Sequence, residues 1–237
     1  MSIIQIKRLT KIYGQTKVLD SVNLNVQKDK IYGLVGENGA GKTTLLKIIC
    51  GLSSKTEGIV KVNGTEDIGR FSKHIGISIE NPSLYPHMTA KQNLEAQRLL
   101  LGIKDKEIIS RILKLIGLEN NHLKAEKFSL GMKQRLDIGL ALIGAPSVLL
   151  LDEPFNGLDP LVVQDITELL YKLKEHNVTI VISSHILEDL LELADVIAVM
   201  KAGRIISEVM PAEFTGANIK KYLIELMKGN KQNDKSS

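Results

Sequence analysis

Hydrophobic and polar positions alternate along the first part of the chain. The runs 3–7, 18–26, 30–35 and 59–63 read as strands, several with the period-two pattern of a half-buried sheet. A helix interrupts them, starting inside a glycine-rich loop, covering 42–50 and stopping at Gly51. Between 88 and 145 the period becomes helical: Leu94, Leu99, Ile108, Ile112, Leu115 and Ile116 form apolar faces, and Gly102, Gly117 and Asn120-Asn121 punctuate the segment. Unbroken apolar runs return at 148–151 and 178–183, as in strands covered on both faces. Each precedes a helical stretch, 161–175 and 186–194, so the pattern predicts an α/β protein with a parallel sheet built from right-handed crossovers. The runs 195–201 and 204–210 flank Ala202-Gly203 as a hairpin, and 219–227 is a last helix.

Composition narrows this picture. A chain of 237 residues with 43% hydrophobic content holds one large core carrying an inserted lobe, and two unrelated domains would be a tight fit. The formal charge of +4 is modest, and part of it sits in the tail 228–237, so no nucleic-acid partner is expected. Cys50, in an apolar helical stretch, is the single cysteine, which excludes an internal disulfide and suits a reducing compartment. The first ten residues lack the apolar block of a secretory signal. The most apolar stretch, 136–151, is too short for a membrane span and is broken by Asp137, Gly139, Gly144 and Pro146. The expected location is the cytosol.

Candidate chemistry begins with Gly36-Glu37-Asn38-Gly39-Ala40-Gly41-Lys42-Thr43, which fits the phosphate-binding loop GxxxxGK[ST] between a strand and a helix. Small residues let backbone N–H groups close around phosphates, the helix start adds partial positive charge, and Lys42 reaches the β and γ phosphates. Thr43 offers a hydroxyl to Mg²⁺, and Thr44 completes the expected nucleotide-binding set. Downstream, Val148-Leu149-Leu150-Leu151 delivers Asp152 and Glu153 at the end of a buried strand, where open α/β sheets bind ligands. Asp152 is the candidate Mg²⁺ ligand, and Glu153 the candidate base for an attacking water.

Just upstream of that strand, Phe128-Ser129-Leu130-Gly131-Met132-Lys133-Gln134-Arg135 resembles the signature segment of the ABC ATPases, with Ser129 and Gly131 retained and Leu130 and Met132 replacing a glycine and a glutamine. The resemblance covers residues 2–210. It implies that Tyr13 stacks on adenine, that Asn156-Gly157-Leu158-Asp159 forms the loop crossing a dimer interface, and that His185 contacts the γ-phosphate. Glu80 stands where the family normally has a glutamine that senses Mg²⁺, and the resemblance implies that this carboxylate is a third candidate Mg²⁺ ligand beside Thr43 and Asp152. The segment Ile79-Glu80-Asn81-Pro82, together with Leu84-Tyr85-Pro86 and the signature variant, is similar to the bacitracin-export and lantibiotic-immunity branch.

The resemblance implies a RecA-like phosphate-loop core with a mostly parallel sheet, an antiparallel β subdomain and an inserted helical subdomain. The expected division is 1–86 and 146–228 for the core with its β subdomain, 87–145 for the helical subdomain, and 229–237 for a disordered polar tail. It further implies ATP and Mg²⁺ as cofactors and a head-to-tail dimer placing each nucleotide between one phosphate loop and the other chain's signature segment. Membrane permease subunits would be met at 80–88, holding the chain on the inner face of the membrane. Three readings stay open: an antimicrobial-peptide transporter subunit, a drug or lipid exporter subunit, and a soluble ABC ATPase acting on ribosomes or DNA. Members of the last class usually carry two ATPase domains or a long coiled-coil insertion, and this sequence has neither.

Overall fold

The chain opens with the hairpin β1 (Ser2–Tyr13) and β2 (Thr16–Gln27), followed by β3 (Ile31–Val35), α1 (Lys42–Ile49) and β4 (Glu57–Val62). The structure, a computed structural model, describes residues 1–66, 74–80, 84–214 and 218–228. β5 (Ile75–Ser78) leads to the helices α2 (Ala90–Leu100), α3 (Glu107–Leu115) and α4 (Leu130–Leu142). Strands and helices then alternate through β6 (Val148–Asp152), α5 (Pro160–Glu175), β7 (Thr179–Ser184), α6 (Glu188–Leu191) and β8 (Val196–Lys201), ending with β9 (Arg204–Val209) and α7 (Asn218–Lys228).

Two sheets result. One is antiparallel, in the order β2-β1-β4; the other runs β5-β6-β7-β3-β8-β9, parallel except for β9 against β8. β3 and β7 are buried along their whole length, and alternate residues feed different cores. Leu149, Leu151, Ile180 and Ile182 join the helical side, while Val148, Leu150 and Val181 join the side of α1 and the antiparallel sheet. Burial on both faces is the reason the middles of these strands are apolar.

Two segments depart from the sequence reading. β1 continues to Tyr13, beyond the alternation seen at 3–7, because register shifts between Ile6 and Leu9 and between Leu9 and Lys11 break the period while pairing persists. Arg8, at φ 47°, lies in this bulged stretch, and such bulges re-aim the side chains that follow. The helix expected over 186–194 shrinks to the single turn of α6. It ends at Glu192, and Asp195 then donates its N–H to Ile31 O and accepts the Ile31 N–H on Oδ2, which draws the chain into β8 beside β3.

The helical lobe starts at Thr89, whose side chain caps α2 while Gln92 bonds back to the Thr89 N–H, satisfying two otherwise unpaired donors. Cys50 caps the end of α1 and is partly buried against the α1-side core. No helix among the described residues is long and apolar enough to cross a membrane. Asn81 and Pro82, part of the surface expected at 80–88, and the tail 229–237 lie outside the described residues.

Candidate functional site

The loop 36–41 leaves β3 and turns into α1 through Gly41, which holds φ 102°. Gly36 is required by close approach: a Cβ there would sit 2.3 Å from Met200 O. Ala40 bonds back to Glu37 O at 3.1 Å and receives Gly203 N–H at 3.0 Å, which closes the loop around Asn38 and Gly39. No side chain caps the start of α1, so its first N–H groups stay available to an anion.

Lys42 is buried, and its Nζ donates to Gly36 O at 2.8 Å and Glu37 O at 3.3 Å. The same ammonium lies 3.2 Å from Glu153 Oε1. The other Glu153 oxygen accepts from His185 N at 3.2 Å and lies 2.7 Å from His185 Nδ1. Lys42, Glu153 and His185 therefore form one connected row of charge and hydrogen bonds. Glu153 itself sits at φ 50°, a conformation uncommon outside glycine, and is held there by its N–H donating to both Ser183 O and Ser183 Oγ at 3.1 Å.

Beside this row, Thr43 Oγ1 donates to Asp152 Oδ2 at 2.7 Å, while Ser183 Oγ donates to Asp152 Oδ1. A hydroxyl and a carboxylate meeting at the first turn of α1 give the hard oxygen pair that suits Mg²⁺. Thr44 follows on that same turn.

A second group of residues stands apart. Ser129 caps α4, accepting the Met132 N–H at 3.2 Å, and Asp159 caps α5, accepting the Val162 N–H at 3.1 Å. Gly131 brings the two helix starts together, since a Cβ on it would lie 2.6 Å from Val162 Cγ1. No hydrogen bond or ion pair among the described residues joins Ser129, Gly131 or Asp159 to the Lys42 row.

Tyr13 and Glu80 are attached to the far end of α1. Tyr13 OH lies 3.0 Å from Ser53 Oγ, just beyond that helix, and the residue is half exposed. Glu80, at φ 68°, is ion-paired with Lys47 of α1, and this carboxylate raises the Lys47 pKa above the ordinary lysine value. The structure thus gives the Glu80 carboxylate a lysine partner, with Thr43 and Asp152 paired to each other.

Two residues missed by the sequence reading organise the site. Ser183, read only as the end of a strand, orients both carboxylates; its signal was the polar pair Ser183-Ser184 closing an apolar run. Asp137 of α4 accepts from Ser78 Oγ on β5, tying α4 to the strand that precedes Glu80. Burial pushes the Asp137 carboxyl above its usual value, opposed by the Ser78 bond. Nothing local in the sequence marks that pair.

The ABC transporter family model matches residues 19–156. The lantibiotic transport ATP-binding protein SrtF of Streptococcus pyogenes is 43% identical over 207 residues, covering 87% of this chain and 90% of that protein. The bacitracin transport ATP-binding protein BcrA of Bacillus licheniformis is 40% identical over 227 residues, covering 94% of this chain and 74% of that protein. The dimeric post-hydrolysis structure of the ATP-binding cassette MJ0796, bound to ADP and Pi, matches with a TM-score of 0.78 at 28% identity, over 88% of this chain and 98% of that one. The chain belongs to the ABC transporter family, as its ATP-binding and ATP-hydrolysing subunit.

Proposed function

We propose that this ATPase powers the export, or expulsion from the membrane, of an antimicrobial peptide of the lantibiotic or bacitracin type, through a separate membrane subunit. The observation that carries this reading is the 43% and 40% identity to the SrtF and BcrA transport ATPases across most of the chain. Deleting the chain from its native cell should sensitise that cell to such peptides and leave its tolerance of unrelated drugs unchanged. Unaltered peptide sensitivity would overturn the assignment.

The site supports a definite division of labour. Backbone N–H groups from Gly36 to Thr44 cradle the phosphates, and Lys42 exchanges the Glu153 carboxylate for β- and γ-phosphate oxygens. Glu153, freed from Lys42 and steadied by His185, takes a proton from water as the water oxygen attacks the γ-phosphorus and the bond to the β-γ bridging oxygen breaks. Thr43 and Asp152 would hold Mg²⁺, which supplies charge neutralisation at the phosphates. Tyr13 stacks on the base.

Ser129, Gly131 and Asp159 have no place in this half-site and instead serve a nucleotide bound by a second copy of the chain or a close relative. In that head-to-tail pair the γ-phosphate adds contacts that close the dimer, and hydrolysis removes them. A membrane subunit at the inner face of the cell membrane reads that two-state cycle near Glu80, whose link to Lys47 connects the surface to α1.

A further inference from the structure

Lys11 is an anomaly among the charged residues: it is only 8% exposed and forms no ion pair among the described residues. A buried ammonium needs compensation. Its Nζ finds it in Ser54 O at 2.5 Å, Ser54 Oγ at 3.4 Å, and the ring of Tyr13, whose centroid lies 4.5 Å away. The tyrosine is also held by its hydroxyl, 3.0 Å from Ser53 Oγ. Two further bonds stitch the same loop to β1, Ile12 N–H to Thr56 Oγ1 at 3.0 Å and Thr56 N–H to Thr10 O at 2.9 Å.

We propose that Lys11 is a positioning residue for the nucleotide base: it covers one face of Tyr13, leaves the opposite face as the base platform, and ties that platform through residues 53–56 to the end of α1. The inference rests on the stacking role of Tyr13 and adds the group that prepares it. Two consequences follow from the chemistry. The ring is fixed before nucleotide arrives, so little side-chain freedom is lost on stacking. The cation also draws π density toward its own side, making the outer face a better partner for an electron-rich purine. Because α1 begins at Lys42 and ends beside this loop, base and phosphate sites are held in register by a single helix.

Calorimetric titration of the full chain with ATP and with inorganic tripolyphosphate tests the proposal, since the second probe lacks a base. Lys11→Met should weaken ATP binding about fivefold and leave tripolyphosphate affinity unchanged. Lys11→Arg should restore most of the loss, and in a Tyr13→Ala background Lys11→Met should add nothing. Should Lys11→Met fail to fold, Lys11→Gln keeps a donor for Ser54 O without the charge and should show the same base-dependent loss. Equal weakening of both probes, or intact ATP affinity in the uncharged variants, would overturn the role of Lys11 while leaving stacking in place. A Tyr13→Ala chain that binds ATP like the parent would remove the platform itself.

Discussion

At the start of α1, a left-handed glycine replaces a side-chain cap, and Lys42, Asp152, Glu153 and His185 converge on the open helix end. At the start of α4, Ser129 caps the helix, Gly131 packs on Val162, and Leu130 is half exposed. Both junctions are strand or loop to helix transitions with small residues. The first is surrounded by its own chemistry within one chain. The second is a capped helix start to which none of Lys42, Asp152, Glu153 and His185 is bonded among the described residues. Under the proposed function, the first junction captures nucleotide within one chain and the second completes the site of a partner chain.

The largest expected effect breaks the first junction. Glu153→Gln keeps the side chain's shape and its contact with His185 but removes the proposed base, so turnover should fall by about a thousandfold while ATP still binds. Steady-state phosphate release and equilibrium ATP titration on the same preparation separate the two. Wild-type turnover in this variant would remove Glu153 from its assigned role.

Gly131→Ala probes the second junction. The added methyl meets Val162 at van der Waals overlap and must push α4 and α5 apart at a cost of about 1–3 kcal/mol. ATP hydrolysis should drop several-fold, with ATP affinity of the isolated chain nearly unchanged because the phosphate loop is untouched. An equal loss in both measurements would erase the distinction between the junctions.

The smallest effect concerns the link between α4 and the core. Burial raises the folded-state pKa of Asp137, so its charged form costs stability once pH exceeds that value, and the cost is absent below the ordinary carboxylate range. Asp137→Asn retains an acceptor for Ser78 and should raise the thermal midpoint by a few degrees near neutral pH. That gain should shrink on acidification, in melts followed between about pH 4 and pH 8. A gain independent of pH would mean that charge burial is not its source.

What the sequence made legible was contiguous. The phosphate loop and the Asp152-Glu153 pair occupy short runs whose spacing is itself the chemistry, and the buried strands advertise themselves by unbroken apolar residues. The contacts that remained hidden join residues distant along the chain: Lys11 with Ser54, Ser78 with Asp137, Lys47 with Glu80. Their side chains are ordinary in isolation, and only the crossing of β1, β5 and α1 with their neighbours brings them together. Glu80 illustrates the difference, for its identity stood out at once in the sequence while its lysine partner did not.

If two chains clasp one nucleotide as proposed, a cysteine cross-link placed across the shared site will capture them. One chain would carry Asn38→Cys in the phosphate loop and the other Leu130→Cys in the signature segment, both with Cys50→Ser and Glu153→Gln. Mixed in ATP under mild oxidation, the pair should form a covalent heterodimer that fails to appear with ADP or with either chain alone. Stoichiometric ATP binding without any cross-link between the two cysteines would rule out the shared site.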